Sequence, residues 1–301
     1  MINSLIKGRV INKIQGFYYV SDGTQEHECR LRGVLKRKDK KDNCVVGDYV
    51  EISEDNFIMN IAERKNIINR PLVANIDYLV IQFAAKDPEI ELDRLNNLIL
   101  NSIYHKISPI IVINKIDLLS ENEKKELEDT LSYLKDVDIP LFFVSTFKNE
   151  NIDKVKEMII GKTTAFGGPS GVGKSSILNI IQNKKELTVG ETSKRLKAGK
   201  HTTRDSNLIP LTEGGYVIDT PGFSSLELPP IENVEELVSL FKEFTFEEGY
   251  CKFLDCHHIN EPGCVIKEKV QQGKISKIRY DFYKKVYEKL KNERWNRYEK
   301  Y

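Results

Sequence analysis

One eight-residue segment constrains the fold of this chain more than any other feature. Residues 168–175 read GPSGVGKS and fit the pattern G-x-x-x-x-G-K-[ST], with a strand-like run, TTAFG, before them and a helical pattern from Lys174 onward. A strand before the motif and a helix after it are the context that a phosphate-binding loop, or P-loop, requires. The segment therefore predicts an α/β domain that binds a nucleoside triphosphate.

The residue types of this segment match the chemistry of phosphate binding. Glycines let the backbone curl so that its N–H groups point at phosphate oxygens, and the N-terminal end of the following helix adds positive potential. We expect the Lys174 ammonium to neutralise the terminal phosphates and the Ser175 hydroxyl to coordinate Mg²⁺. The predicted phosphate-binding residues are Gly167, Gly168, Pro169, Ser170, Gly171, Val172, Gly173, Lys174 and Ser175.

A second motif indicates which base is bound. Asn114, Lys115, Ile116 and Asp117 follow the strand-like run PIIVI, at the edge where open α/β sheets bind ligands. The Asp117 carboxylate can accept hydrogen bonds from the N1–H and the exocyclic amino group of guanine, a pair of donors that adenine lacks. The pair Ser145-Thr146, after the run LFFV, is expected to present a backbone N–H to the guanine oxygen, with Ser145 as the predicted site residue. The chain is therefore predicted to bind GTP and GDP.

Two further segments complete the predicted nucleotide site. The motif DTPG begins at Asp219, which would hold Mg²⁺ through water, and ends at Gly222, whose backbone N–H would bind the γ-phosphate. The segment His201-Thr202-Thr203 lies in a long polar stretch, and one of its threonines would complete the Mg²⁺ shell when GTP is bound. The sequence leaves open which threonine does so.

The order of these motifs is their most diagnostic property. In ordinary GTPases the P-loop comes first and the guanine motifs come last, whereas here residues 114–117 and Ser145 precede residues 168–175. All of these loops still lie at one edge of the same sheet, so a circular permutation of the domain preserves the site. The permutation also brings the C-terminal region within a few residues of Asp219, so the nucleotide state can act directly on that region.

The chain outside the nucleotide motifs divides into two further predicted domains. At 301 residues it is long enough for two or three domains. Short strands separated by turn signals predict an N-terminal OB-fold barrel, and strands that alternate with helices predict a doubly wound parallel sheet. We predict an OB-fold RNA-binding domain at 1–70, a circularly permuted GTPase domain at 71–228 and a mostly helical zinc-binding domain at 229–301.

The expected local structure follows from the same patterns. The predicted barrel strands are LIKGRVINKI, FYYVSDG, ECRLRGVLK, VVGDYVEI and NFIMNIAE. In the second domain we expect a single charged helix over residues 121–135 and a long polar stretch over residues 183–211.

Four residues near the C-terminus have the spacing of a metal site. The chain has five cysteines, an odd number that argues against a framework of disulfide bonds. A reducing compartment disfavours disulfide bonds as well. The candidate ligands are Cys251, Cys256, His258 and Cys264. Three thiolates and one imidazole suit a closed tetrahedral zinc site of the structural type. His257 is adjacent to His258, so the spacing by itself leaves the imidazole ligand open, and the other two cysteines are predicted to be ordinary barrel residues.

Charge and aromatic residues point to a nucleic-acid partner. The net charge is only +1, but residues 30–41 carry seven basic residues against one acidic residue, and residues 267–301 carry twelve against five. Such segments either contact phosphates or are solvated faces. Aromatic residues interleaved with the second segment either pack in a core or stack on unpaired bases. They are Tyr280, Phe282, Tyr283, Tyr287, Trp295, Tyr298 and Tyr301.

Hydropathy and the N-terminal sequence predict a cytoplasmic protein. No apolar run approaches the roughly 18 residues of a membrane span, and the N-terminal sequence lacks a secretion leader. We therefore expect no membrane partner. The sequence shows no pattern of a dimer interface, so we expect a monomer.

These motifs, in this order, resemble the ribosome small subunit-dependent GTPase A (RsgA) family over essentially the full length of the chain. The resemblance implies a bacterial factor that acts late in assembly of the small (30S) ribosomal subunit and binds 16S ribosomal RNA. It also implies slow GTP hydrolysis that the subunit stimulates. His258, rather than His257, has the spacing of the family's fourth zinc ligand.

Hydrolysis depends on how the attacking water is oriented. Many GTPases have a glutamine for this purpose directly after the D-x-x-G motif, and here that residue is Phe223, whose ring cannot hydrogen-bond water. We therefore expect slow turnover unless another group is supplied. His201 matches the histidine of the family's G-[KR]-H-T-T stretch and is the candidate, with an ordinary surface-loop histidine as the alternative. The predicted catalytic residues are His201, Lys174, Asp219 and Gly222.

A protein of another class fits the same motifs. It would be a guanine-nucleotide-dependent RNA-binding module in which nucleotide binding alone is the switch and hydrolysis is incidental. The presence of Lys174, Ser175 and Asp219 favours real turnover.

Overall fold

The computed structural model describes six stretches of the chain, residues 5–35, 43–69, 71–182, 207–219, 227–245 and 249–293, with Asp219 described by its backbone alone. Several residues named above lie outside the described residues, so their predicted roles stay predictions. They are residues 36–41 of the basic segment, His201, Thr202, Thr203, Gly222, Phe223, Trp295, Tyr298 and Tyr301.

The first five strands close into a barrel, as the sequence predicts. They are β1 (Ile6–Ile14), β2 (Phe17–Ser21), β3 (Glu26–Leu31), β4 (Tyr49–Ile52) and β5 (Phe57–Ile61). Neighbouring strands pair in the order β1-β2-β3-β5-β4, and β4 pairs back onto β1. Alternate side chains point inward and form the barrel core, which contains Val10, Val20 and Ile52. Cys29 and Cys44 are buried in this core, as expected for ordinary barrel residues.

A six-stranded sheet follows the barrel and carries the nucleotide motifs. A short hairpin of β6 (Ile67–Asn69) and β7 (Leu72–Ala74) comes first. The strands of the sheet are β8 (Tyr78–Ala84), β9 (Ser108–Asn114), β10 (Leu141–Phe143), β11 (Thr163–Gly167), β12 (Asn207–Pro210) and β13 (Tyr216–Asp219). Their spatial order is β10-β9-β8-β11-β13-β12, and all pairings are parallel except that of the edge strand β12.

Helices pack on both faces of this sheet, which confirms the predicted doubly wound architecture. They are α1 (Leu92–Tyr104), α2 (Glu121–Thr130), α3 (Tyr133–Asp136), α4 (Ile152–Ile159) and α5 (Lys174–Ile181). Leu79, Ile81 and Phe83 of β8 pack in the cluster that contains α1 and α3, whereas Val80 packs in the cluster that contains α4 and α5. Burial on both faces explains why the central strands read as nearly continuous apolar runs.

Two stretches differ from the sequence-based expectation. The charged helix expected over residues 121–135 is divided into α2 and α3. The hydroxyls of Thr130 and Ser132 donate to carbonyls of the preceding turn at 2.8 and 2.7 Å, a bond pattern that bends helices. The expected polar stretch 183–211 contains the edge strand β12, whose Leu208 is buried opposite Ile218.

The C-terminal region is helical and encloses an aromatic core. Its helices are α6 (Val234–Ser239), α7 (Val265–Gln271) and α8 (Lys277–Glu293). Four aromatic residues of α8 lie buried in this core: Tyr280, Phe282, Tyr283 and Tyr287. Tyr283 makes an edge-to-face contact with Phe241, with ring centroids 5.2 Å apart. Of the two interpretations of these aromatic residues, core packing is therefore correct for the four that are described.

No helix among the described residues is both long enough and apolar enough to cross a lipid bilayer.

A buried arginine joins the barrel to the sheet. Arg9 of β1 is 6% exposed. Its guanidinium donates to the carbonyl oxygens of Gly47 and Asn75 at 3.3 and 3.0 Å, and to the Thr163 hydroxyl at 2.5 Å. Two tyrosine rings lie over the same group, with centroids at 4.7 and 5.2 Å. Because Thr163 begins β11 while Gly47 belongs to the barrel side, Arg9 fixes the barrel against the sheet.

Helix α1 joins the sheet to the C-terminal region. Arg279 of α8 is 1% exposed and donates to the Glu243 carboxylate at 2.7 Å and to the Asn96 side-chain oxygen of α1 at 3.1 Å. Lys285 of α8 pairs with Asp93 of α1 at 2.7 Å. The helix is therefore held by the sheet on one side and by the C-terminal region on the other.

Replacement of Arg9 tests the junction between barrel and sheet. We expect Arg9→Met to lower the free energy of unfolding by about 2–4 kcal/mol, because it removes three hydrogen bonds and leaves buried acceptors unpaired. Arg9→Lys is expected to lose most of the same stability, since a single ammonium cannot reproduce the planar guanidinium geometry. The unfolding midpoint in urea, followed by circular dichroism, measures both effects.

The matched control is Arg30→Met in the same barrel. Arg30 is exposed and its guanidinium lies 5.0 Å from the Phe17 ring centroid, so this variant should change stability by no more than about 0.5 kcal/mol. Equal urea midpoints for Arg9→Met and the wild type would contradict the assigned role of Arg9.

Candidate functional site

The P-loop leaves the carboxyl end of β11 and enters α5, in the centre of the sheet. Strand β11 pairs with β8 on one side and β13 on the other, and Gly167 lies opposite Ile81. Gly168, Gly171 and Gly173 have φ angles of 126°, 81° and 93°, which residues with a side chain rarely adopt. These three glycines produce the curl in the backbone that the sequence motif predicts.

Two of these glycines are also required by close contacts. A Cβ atom on Gly168 would overlap the carbonyl oxygen of Gln82 in β8, and one on Gly173 would overlap the side-chain amide of Asn114 at the end of β9. The P-loop therefore lies directly against the ends of β8 and β9, and only glycine fits at both positions.

Two side-chain amides hold the P-loop in place. Gln82 and Asn114 each donate a hydrogen bond of 2.9 Å to the carbonyl oxygen of Val172. Both residues are 1% exposed or less. Gln82 is not among the predicted site residues, although an amide inside the otherwise hydrophobic run of β8 is a signal that was available. Among the described residues, its Oε1 has no hydrogen-bond partner.

Lys174 is folded back over the loop. Its ammonium donates to the carbonyl oxygens of Gly168 and Pro169 at 2.8 and 2.5 Å. Burial lowers the pKa of Lys174, and the positive charge of Arg94 at the start of α1 lowers it further. A triphosphate at this position would raise the pKa of Lys174, because an anion stabilises the charged ammonium. Arg94 is thus a second cation near the P-loop that the sequence motifs did not indicate.

The guanine motif is ordered by its own hydrogen bonds. The Ser145 hydroxyl donates to the Asp117 carboxylate at 2.5 Å, and the Thr146 backbone N–H donates to the Asn114 side-chain oxygen at 3.1 Å. Lys115 has a left-handed φ of 65°, and its ammonium donates to the carbonyl of Asp87. Ile116 follows Lys115 and is buried. Asn114 thereby contacts both the P-loop and Thr146, and the Ser145 hydroxyl orients the carboxylate of Asp117.

Ser145 contributes differently from the prediction. Its backbone N–H, one of the two expected to donate to guanine, already donates to the carbonyl oxygen of Glu150 at 3.1 Å as part of an isolated bridge. The Ser145 hydroxyl orients Asp117 instead. The reason is the tight turn after β10, which pairs Ser145 with Glu150 before the chain reaches α4.

The Mg²⁺ residues are only partly described. Ser175 is exposed at the second position of α5. The backbone of Asp219 ends β13, the strand beside β11, and so lies at the same sheet edge as the P-loop. Of the four predicted catalytic residues, Lys174 is the one whose side chain lies within the described part of the chain.

The predicted metal ligands form a compact cluster. The ligand atoms of Cys251, Cys256, His258 and Cys264 all lie within 4.8 Å of one another. The His258 Nδ1 atom is 3.6 Å from the Cys251 sulfur and 3.4 Å from the Cys264 sulfur, and these two sulfurs are 3.9 Å apart. A tetrahedral ion with S and N bond lengths of about 2.3 and 2.0 Å requires separations of roughly 3.5–3.8 Å. The four residues can therefore hold a metal ion.

The cluster is buried and its imidazole is fixed. His258 is 3% exposed, has a left-handed φ of 62°, and its carbonyl oxygen accepts a hydrogen bond of 2.7 Å from the Tyr280 hydroxyl. Burial raises the pKa of Cys256 and of Cys264, which a bound cation would counteract by stabilising the thiolates. Burial also lowers the pKa of His258, in the direction of the neutral form that binds metals.

His257 lies outside this cluster. Its Nδ1 atom is 2.8 Å from the Tyr287 hydroxyl, and its carbonyl oxygen accepts a hydrogen bond of 2.7 Å from Tyr283. The two adjacent histidines therefore face different neighbours: His258 faces the sulfur atoms, whereas His257 faces α8.

The motifs and their sheet define the class of protein. The guanine motif and the P-loop meet at the carboxyl edge of a doubly wound sheet, joined by Asn114, and the guanine motif comes first in the chain. This is the arrangement of a circularly permuted P-loop GTPase.

Sequence comparison gives the family. Residues 61–229 match the family described as RsgA GTPase, and residues 7–58 match the RsgA N-terminal domain. A protein of Fusobacterium nucleatum named small ribosomal subunit biogenesis GTPase RsgA is 56% identical over 287 residues, which cover 95% of this chain and 100% of that protein. A protein of Agathobacter rectalis with the same name is 39% identical, with 95% and 98% coverage. The chain belongs to the RsgA GTPase family and is a hydrolase that acts on GTP.

Solved structures of two proteins share the whole fold. The crystal structure of YjeQ from Thermotoga maritima matches with a TM-score of 0.84 at 32% identity and covers 97% of this chain and 100% of that one. The structure of YloQ, described as a circularly permuted GTPase, matches with a TM-score of 0.81 at 31% identity and covers 97% of each chain. These matches confirm the predicted fold class of barrel, permuted GTPase fold and helical region with a Cys/His cluster.

The two adjacent histidines provide a matched test of the metal cluster. We expect His258→Gln to lose the bound metal, because it removes one of four ligands, and His257→Gln to keep it, because His257 contacts Tyr287 instead. Metal content by mass spectrometry and the absorption of Co²⁺-loaded protein would measure both. Full metal content in His258→Gln would show that His258 is not a required ligand.

Proposed function

We propose that this chain is a GTPase that acts in biogenesis of the small (30S) ribosomal subunit and binds 16S ribosomal RNA. This proposal is supported by two relatives that are 56% and 39% identical to this chain over nearly its whole length. Both are named small ribosomal subunit biogenesis GTPase. The single observation behind the nucleotide part is Asn114, whose amide binds both the P-loop and the segment that positions Asp117. Nucleotide state then controls how long the protein stays on the subunit.

The P-loop binds the triphosphate of GTP. The positive φ angles of its glycines turn backbone N–H groups toward the phosphates, and the N-terminus of α5 adds positive potential there. Lys174 exchanges its contacts with two loop carbonyls for contacts with phosphate oxygens. Arg94, which already acts on Lys174 through its charge, increases the positive potential of the site.

Asp117 selects guanine. With Ser145 bonded to one carboxylate oxygen, the carboxylate keeps acceptor capacity for the N1–H and amino group of the base. Adenine would leave that charged acceptor unpaired, at a cost of about 1–3 kcal/mol or more. Asn114, Lys115 and Ile116 contribute to the base site, and Asn114 and Lys115 support it through the hydrogen bonds already described.

Oxygen donors at the same edge fit Mg²⁺. Ser175 offers an exposed hydroxyl at the start of α5, and Asp219 ends the neighbouring strand, which is the hard oxygen set that Mg²⁺ prefers. Thr202 or Thr203 adds a further ligand in the GTP-bound form. When bound, Mg²⁺ neutralises charge on the phosphate oxygens.

Hydrolysis by the isolated protein is slow because Phe223 replaces the water-orienting glutamine. His201 orients the attacking water once the ribosomal subunit has positioned its segment, and Gly222 contributes a backbone N–H to the γ-phosphate. The subunit thereby stimulates turnover, and loss of the γ-phosphate leads to release.

The metal cluster holds Zn²⁺ in a structural role. Three sulfurs and one imidazole form a soft donor set that favours zinc over Mg²⁺ or Ca²⁺, and four protein ligands leave no open position for catalysis. We further propose a cytoplasmic monomer with an RNA-binding barrel at 1–70, a GTPase domain at 71–228 and a zinc domain at 229–301.

Replacement of one carboxylate oxygen of Asp117 by an amide nitrogen tests base selection. We expect Asp117→Asn to weaken GTP binding about 10- to 100-fold, because the amide keeps one acceptor but places a donor against the guanine amino group. The same variant should gain affinity for xanthosine triphosphate, whose base has a carbonyl at that position. Titration with fluorescent nucleotide analogues measures both affinities.

Asp129→Asn on the exposed surface of α2 is the control for this change of charge. It should bind GTP like the wild type. Undiminished GTP affinity in Asp117→Asn would show that another group reads the base.

The proposed partner is tested by GTP turnover with and without purified small ribosomal subunits, in the presence of Mg²⁺ and with ATP as the control substrate. We expect strong stimulation by small subunits, weak stimulation by large subunits and no turnover of ATP. Equal GTP turnover in all mixtures would leave a GTPase without its proposed partner.

A further inference from the structure

Three large hydrophobic side chains of the C-terminal region face solvent beside the metal cluster. Tyr250 is 85% exposed, Phe253 is 40% exposed and Leu254 is fully exposed at 108%. The C-terminal region has a hydrophobic core of its own, which contains the four described aromatic residues of α8. The exposure of Tyr250 and Phe253 is therefore not the result of poor packing in this region. Clustered exposed hydrophobic residues on a well-packed protein mark interaction sites.

The segment that carries these residues, residues 250–254, is held by the cluster. Cys251 lies within it and Cys256 lies two residues beyond it, so both ends are tied to metal ligands. The backbone N–H of Lys252 donates to the carbonyl oxygen of Gly263 at 3.0 Å. A segment fixed in this way presents its side chains with little loss of conformational entropy on binding.

The part of the chain that carries the segment has a net positive charge, which suits a polyanion partner. The described residues 249–293 carry ten Lys or Arg against six Asp or Glu. The Lys252 ammonium lies 5.7 Å from the Phe253 ring centroid. A lysine between two exposed rings, Tyr250 and Phe253, matches single-stranded nucleic acid, whose bases stack on aromatic rings and whose phosphates pair with cations. Lysine is instead depleted in the cores of protein interfaces.

We propose that residues 250–254 form a stacking platform for unpaired RNA bases, with Phe253 and Tyr250 against the base faces and Lys252 at the phosphates. This inference rests on the RNA binding under the proposed function and names the surface of the C-terminal region that performs it. The earlier candidates for stacking in α8 are excluded by burial, so the platform replaces them.

The test compares ring loss with ring retention in the full-length, zinc-loaded protein. In the pair Tyr250→Leu/Phe253→Leu the hydrophobic character stays but the rings are gone, whereas Tyr250→Phe/Phe253→Tyr keeps both rings. The probe is a fluorescein-labelled single-stranded uridine RNA, followed by anisotropy over a range of salt concentrations. We expect the leucine pair to bind about tenfold more weakly and the ring-retaining pair to bind within about twofold of wild type.

Salt dependence separates stacking from charge. The leucine pair should keep the wild-type slope of log affinity against log salt, because stacking releases no counterions, whereas Lys252→Gln should reduce the slope by about 0.7. All variants should keep wild-type zinc content and intrinsic GTP turnover, since the changed residues are neither metal ligands nor among the described residues of the nucleotide site.

Other outcomes overturn the inference in distinguishable ways. Wild-type RNA affinity in the leucine pair would show that residues 250–254 are not the stacking platform. It would not contradict RNA binding by the protein as a whole. If that pair also bound small subunits normally but a Phe253→Ser/Leu254→Ser variant did not, the segment would be a protein-docking face. If the wild type bound neither the RNA probe nor small subunits, the RNA-binding part of the proposed function would fail, and the platform with it.

Discussion

The nucleotide site depends on one acceptor, the carbonyl oxygen of Val172. Gln82 and Asn114 donate to it from positions 90 and 58 residues away in the chain. A loop rich in glycine has many accessible conformations, and these two bonds select one of them. Because Asn114 also binds Thr146, the phosphate-binding and base-binding loops share a support. The protein therefore sets the distance between the two ends of the nucleotide before the nucleotide arrives.

Strand pairing explains why this support survives the permuted order of the chain. The P-loop follows β11, which pairs in parallel with β8, and β8 pairs in parallel with β9. Lateral hydrogen bonds between strands hold the two amides beside the loop whichever strand comes first in the sequence. Permutation thus changes what is attached to the sheet, not the site at its edge, and here it attaches the C-terminal region to the end of β13.

Local patterns in the sequence predicted the local chemistry well. The P-loop, the guanine motif and the Cys/His spacing are each contained in a few residues, so a single sequence displays them. Gln82, Arg94, Arg9 and Arg279 were missed because their partners lie far away in the chain, up to 183 residues for the Arg279–Asn96 contact. The Ser145 N–H was assigned to guanine because nothing in the sequence indicates its bond to Glu150. The aromatic residues of α8 fitted either a core or a stacking surface, and burial decided between them.

Helix α1 couples the nucleotide site to the C-terminal region. At its start it carries Arg94, whose charge acts on Lys174, and two residues further Asn96 accepts a hydrogen bond from the buried Arg279. The C-terminal region cannot shift against this helix without breaking that bond, while the helix cannot shift without moving Arg94. Linkage between two ligands is reciprocal. Whatever factor the nucleotide imposes on the affinity for a partner at the C-terminal region, the partner must impose on the affinity for the nucleotide.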